Sequence, residues 1–245
     1  MKRYLITIQY YGKNYCGFQK QNNGNSIQQQ LEDALKLALS QPIEIFASGR
    51  TDAGVSALCQ TAHFDAETSI PADKIPFAVN LFLPDDIKIV KCKQVKLDFH
   101  ARFDVKKKTY QYNLYASPVE LPIKSLTACW IKKIPDVDLM RRASLKLLGT
   151  HNFKGFMSSG GQAKTFERTI YDIKIKHKNN DISIEVTGNG FLYNMVRIIV
   201  GTLLEIGYKK KTAEDIDKIL QTQDRTMAGY LVPAYGLFLK GVKYK

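Results

Sequence analysis

The sequence predicts an α+β fold made of two similar halves. Short stretches alternate apolar and polar residues with a period of two, and apolar stripes at helical spacing lie between them. The order strand, helix, strand, strand, helix, strand occurs once before about residue 105 and once after it. No low-complexity linker separates the halves, at 1–105 and 106–245, so a single unit with joined or adjacent sheets is expected. A chain of 245 residues that is 44% hydrophobic and 24% charged has enough apolar material for such cores.

In the first half, Tyr4 to Tyr10 alternates as a strand should, and the loop Gly12 to Asn25 follows, rich in Gly, Asn and Gln. Ser26 then offers an N-cap with Gln29 three residues on, and Ile27, Leu31, Ala34, Leu35 and Ala38 keep one helical face. Ile43 to Phe46 and Val55 to Phe64 read as strands around a turn at Ser48 to Gly54. A second helix is predicted over Ala72 to Leu81, ended by Pro84, with a strand from Ile87 to Val95.

The second half begins with a strand at Thr109 to Tyr115. A helix is predicted over Asp136 to Leu148, where Val137, Met140, Ala143, Leu147 and Leu148 share a face and Gly149 stops the helix. Ile170 to His177 and Ile182 to Thr187 form a hairpin across Lys178-Asn179-Asn180-Asp181. A long helix starting near Phe191, a polar helix over Thr212 to Gln221 and a strand from Gly236 to Tyr244 complete the chain.

Thirty-six Lys+Arg against 23 Asp+Glu leave a formal charge of +13, an excess that attracts polyanions. The apolar stretch Phe191 to Leu204 is too short to span a bilayer and holds Arg197. Nucleic acid is therefore the favoured partner, and no membrane span is expected. Cys16, Cys59, Cys92 and Cys129 are far apart, with no C-x-x-C pair, and read as reduced thiols of a cytoplasmic protein. Phosphate-loop, zinc-protease, nucleophile-elbow and zinc-deaminase signatures are absent, and Gly188-Asn189-Gly190 lacks the third glycine of a dinucleotide fingerprint, Tyr193 standing there. His63, His100, His151 and His177 read as packing or hydrogen-bonding residues.

Three places are chemically suggestive. Gly49-Arg50-Thr51-Asp52-Ala53-Gly54-Val55-Ser56-Ala57 sets a carboxylate among small residues that let a bulky substrate approach; the alternative is an Asp bonded to its own turn. Arg197 is the only charged residue from Gly190 to Leu204, so a partly buried guanidinium is expected, needing either a structural or a catalytic Asp. Tyr110 and Tyr112 share a strand face after Lys106-Lys107-Lys108, which suits stacking on an unpaired base or an ordinary half-buried strand.

In order, the segments resemble the TruA family of tRNA pseudouridine synthases nearly end to end. The resemblance runs through Gly17-Phe18-Gln19, Gly49 to Ala57, Asn80-Leu81-Phe82-Leu83-Pro84-Asp85-Asp86-Ile87 and Phe99-His100-Ala101-Arg102-Phe103. It continues through Tyr110-Gln111-Tyr112, Gly149-Thr150-His151-Asn152-Phe153 and Phe191 to Gly201 with Met195-Val196-Arg197. It implies two ferredoxin-like halves forming a mixed, mainly antiparallel sheet flanked by helices, with a central cleft. A homodimer that uses no metal or cofactor is implied, acting on uridines 38, 39 and 40 of the tRNA anticodon stem-loop. By correspondence Asp52 is the catalytic carboxylate, and Tyr110 stacks on the base and assists proton removal. Arg197 pairs with Asp52, Arg50 enters the gap left by the flipped base and contacts phosphate, and Leu237 lines the pocket. The carboxylate attacks the sugar carbon or removes a sugar proton, two routes that the sequence leaves open. Tyr230-Leu231-Val232 and Asn152 depart from the usual family residues, small ones such as Thr-Ala and an Asp, and bear on substrate choice. A non-catalytic RNA-binding protein on this scaffold would not require the carboxylate.

Overall fold

The computed structural model describes residues 1–21 and 24–244, so the part of the predicted first loop at Asn22 and Asn23 lies outside the described residues. The chain is α+β and divides into two compact units, Met1–Lys106 with Leu239–Lys245, and Lys107–Phe238. From Leu239 onward the chain therefore groups with the first unit, whereas the sequence reading kept it in the second half.

The first unit contains β1 (Lys2–Tyr10), α1 (Ile27–Leu39), β2 (Phe46–Ala47), β3 (Ser56–Ala66), α2 (Ile75–Asn80) and β4 (Ile87–Val95). β1 is the middle strand, antiparallel to both β3 and β4. Its Tyr4, Ile6 and Ile8 are buried, as are their β3 neighbours Phe64, Ala62 and Gln60. α1 buries Ile27, Leu31, Ala34 and Leu35, and α2 buries Ile75 and Val79, each large side chain contributing about 1.5–3 kcal/mol. The Ser26 side chain accepts from the Gln29 N–H, as an N-cap should.

The expected strand at Ile43 to Phe46 shrinks to β2, because the Ile45 N–H donates to the Glu32 carboxylate on α1 rather than to a ladder. Pro71 holds the approach to α2, accepting from the N–H groups of Lys74 and Ile75, so that helix begins at Ile75 and not at Ala72.

The second unit holds β5 (Lys107–Ala116), β6 (Cys129–Ile131), α3 (Val137–Ser144), β7 (Gly149–Asn152), β8 (Glu167–Lys178), β9 (Asp181–Gly188), α4 (Met195–Gly207) and α5 (Glu214–Thr222). Its strands run β5-β9-β8-β7, antiparallel throughout, while β6 pairs in parallel with β5. Strand β9 alternates as the hairpin reading required, with Ile182, Ile184 and Val186 buried. β6 and β7, of three and four residues, are too short for a period to show in sequence.

α4 is buried on nearly every side, which accounts for its apolar run. Among the described residues no helix is long and apolar enough to cross a membrane. α4 starts at Met195 rather than near Phe191, because Asn194 takes a left-handed conformation at φ 60° and breaks the helical path before it. The last strand, β10 (Leu237–Lys243), lies beside β3 in the first unit, where the Tyr244 hydroxyl reaches Thr61 and the Ala101 carbonyl.

Candidate active site

Residues 48–55 join β2 to β3 and carry Arg50 and Asp52. The segment is fixed from below by buried polar groups. Ser48 donates its N–H to the Thr61 carbonyl at 2.7 Å and its hydroxyl to Gln60 Oε1 at 2.6 Å, and Gln60 Nε2 donates to the Gly49 carbonyl at 2.9 Å. Ser48 and Gln60 are both fully buried, and a fully satisfied buried network of this kind specifies one conformation.

Thr51 is the anchor next to the carboxylate. Its hydroxyl lies 2.7 Å from the Tyr10 hydroxyl, and burial pushes the Tyr10 phenol well above its usual value, keeping it a neutral partner. The Thr51 carbonyl accepts from the Phe18 N–H at 3.0 Å. Beyond Asp52, the Val55 N–H returns to the Asp52 carbonyl at 3.1 Å, a turn made possible by Gly54 at φ 77°. With Thr51 turned inward, Arg50 is exposed and Asp52 half-buried.

Gly17-Phe18-Gln19 is the clamp on this loop. Gly17 sits at φ 110°, and a Cβ there would lie 2.9 Å from the Thr51 carbonyl oxygen. The carbonyls of Gly17 and Phe18 also receive the first N–H groups of α1, from Ile27 and Gln28, so the helix start and the Asp52 loop share one support. Gly17→Ala is expected to cost about 2 kcal/mol in denaturant unfolding and to slow catalysis by displacing Thr51.

In the second unit Tyr110 stands on β5 opposite Val186 of β9, half-buried, with the ring of Phe191 edge-on at 5.2 Å and 89°. Tyr112 shares its side of the strand but is fully buried. It donates to the Pro233 carbonyl at 2.8 Å and packs on Gly236, so it belongs to the core and not to a stacking surface. Leu237, just after Gly236, is 4% exposed.

Arg197 occupies the first turn of α4, half-buried as its setting predicted. Its Nε donates to the Val232 carbonyl and its Nη1 to Asn194 Oδ1, both at 2.7 Å. These neutral oxygens orient the guanidinium without cancelling its charge. The 229–232 segment can supply Val232 because it lies against α4. Gly201 and Gly229 each leave no room for a Cβ, which would come within 1.9 Å of the Tyr230 carbonyl oxygen and 2.4 Å of the Thr202 nitrogen respectively. Asn194 and Val232 were missed as orienting groups; the sequence signal was Gly201, a glycine inside an otherwise apolar helix. Asn152 caps its own turn, accepting from the Lys154 N–H at 3.0 Å.

A sequence profile for tRNA pseudouridine synthases matches residues 6–104 and 143–245. The chain belongs to the tRNA pseudouridine synthase family. Asp52, Arg50, Arg197 and Leu237 fall inside the matched spans, and Tyr110 between them. The chain is 45% identical over 241 residues to tRNA pseudouridine synthase A 2 of Clostridium tetani, covering 98% of this chain and 97% of that protein. It is 42% identical over 244 residues to tRNA pseudouridine synthase A of Clostridium acetobutylicum, and 40% identical over 245 residues to that of Thermoanaerobacter sp. strain X514. Both matches cover 100% of each chain. The protein is a pseudouridine synthase, an isomerase that modifies tRNA.

Proposed function

We propose that this synthase acts on uridines of the anticodon stem-loop, at positions 38, 39 and 40, with Asp52 as the catalytic carboxylate. The observation that carries the reading is the Asp52 loop: a half-buried carboxylate residue among small ones, with the backbone held on both sides of it. Such construction fixes the position of the acid, as preorganised chemistry requires.

The reaction breaks the bond from the base nitrogen to C1′ of the ribose, turns the uracil, and joins C5 to the same carbon. The C5 proton leaves to solvent, N1 takes up a proton in its place, and no redox step is needed. Asp52 supplies the anionic group at the sugar, by attack on C1′ or by removing a sugar proton. Tyr110, braced edge-on by Phe191, stacks on the everted base and assists removal of the C5 proton. Arg197 stands as the cation that keeps the acid ionised, Arg50 takes the space the base vacates and contacts phosphate, and Leu237 contributes apolar lining. The working form is a cytoplasmic homodimer, and the chemistry calls for no metal or cofactor. Mapping pseudouridines in tRNA from cells lacking the protein tests the positions; loss confined to sites outside 38–40 would refute them.

The charge of +13 supports RNA as the ligand. Affinity for a tRNA transcript is expected to fall on the order of 10³-fold between about 50 and 200 mM KCl, through counterion release. Salt-insensitive binding would contradict the reading.

A further inference from the structure

Arg168 is the second residue of β8 and faces His151 across the ladder. Its hydrogen bonds to the described residues all come from Nη1 and all go to neutral oxygens: the Glu167 carbonyl at 2.6 Å, the Thr165 carbonyl at 3.0 Å and the Thr165 hydroxyl at 3.3 Å. Nε and Nη2 have no partner among the described residues. Burial lowers the Arg168 pKa, and among the described residues no carboxylate opposes it. Arg3 shows what a satisfied fork looks like in this protein, its Nε and Nη2 each donating at 2.7 Å to the two oxygens of Asp65. A partly desolvated guanidinium whose bidentate edge is left over is built for an anion that arrives with the ligand.

The surroundings say which anion. The Arg168 side chain runs along Gly190, whose missing Cβ would touch its Cδ and Nε at 3.7 Å. The Gly188–Gly190 turn is clamped to Thr169, with Asn189 Oδ1 accepting at 2.9 Å and the Asn189 N–H donating at 3.0 Å. The ring of Phe191 lies beneath Gly188, and that ring braces Tyr110. The open fork is thus one glycine turn away from the aromatic pair assigned to the base. A nucleotide stacked on Tyr110 carries phosphates on either side of its sugar.

We propose that Arg168 is a phosphate-binding residue that grips, through Nε and Nη2, a backbone phosphodiester flanking the target uridine. This rests on the tRNA reading above. It gives the second unit a backbone contact of its own, apart from the phosphate contact assigned to Arg50.

The test is equilibrium binding of a tRNA transcript across a KCl series for the wild type, Arg168→Gln and Arg168→Lys. For Arg168→Gln the slope of log affinity against log salt should become shallower by about 0.7–0.9, the share of one phosphate, and affinity at low salt should drop about tenfold. Arg168→Lys keeps the charge and so the slope, while losing affinity several-fold because an ammonium lacks the fork. A steep wild-type slope that Arg168→Gln leaves unchanged would overturn the site, making Arg168 only a tether for the turn at Thr165. A flat wild-type slope would instead remove the tRNA reading, and the site with it. Where Arg168→Gln fails to fold, Arg168→Lys decides: weakened affinity with an intact slope sustains the site, and wild-type affinity overturns it.

Discussion

With tRNA tritiated at C5 of uridine, Asp52→Ala is expected to release tritium to water at least about 10⁴-fold more slowly than the wild type, a barrier increase of about 5.4 kcal/mol. The dissociation constant for tRNA should change less than about threefold. On the proposed reading the asymmetry follows from where the binding energy lies: affinity would come from many Lys and Arg contacts to phosphate, whereas the glycosidic bond would answer to the Asp52 anion alone. The fold should tolerate the change, since the loop is held by Ser48, Thr51 and backbone bonds. Sustained turnover by the variant would remove Asp52 from the chemistry.

Arg197→Leu should fail in two separable ways. Leucine cannot donate, so the Val232 carbonyl and the Asn194 side chain lose their bonds, at a cost of about 1–3 kcal/mol in the unfolding free energy. The single-turnover rate should also fall, on the order of 10²–10³-fold, if the guanidinium holds the catalytic acid ionised. Denaturant melts and single-turnover kinetics read the two effects independently. A variant that is less stable but fully active would confine Arg197 to its bonds with Val232 and Asn194.

Much of the fold was legible because long strands and amphipathic helices write their period into the chain. β1, β3, β4, β8 and β9 and the Ser26 cap follow from patterning alone. The errors have local causes. Phe191 to Tyr193 extend the apolar run of α4 without being helical, because Asn194 adopts a left-handed turn that no hydrophobic count registers. Ile43 and Ile45 are buried as a strand reading requires, yet Ile45 spends its N–H on Glu32 of α1. Tyr110 and Tyr112 have the same pattern in sequence, and only the carbonyl of Pro233, distant along the chain, draws Tyr112 into the core.

The candidate site was legible in a different way. A half-buried Arg in an apolar helix announces itself because a buried charge needs a reason, and a carboxylate among small residues because they let a bulky ligand approach. The supports were not announced. Tyr10 beneath Thr51 and Gly17 against the Thr51 carbonyl are long-range contacts that look ordinary in their own stretches of sequence, and the 229–232 segment left its one trace in Gly201.

Everything proposed for the chemistry requires Asp52, Tyr110 and Arg197 to serve one nucleotide. A crystal structure of the protein bound to a tRNA anticodon arm measures this directly. The expected result is an everted uridine whose C1′ lies within about 3.5 Å of an Asp52 carboxylate oxygen, with its ring on Tyr110 and the Arg197 guanidinium in contact with the same carboxylate. An everted uridine held elsewhere on the protein, with Asp52 facing solvent, would contradict it.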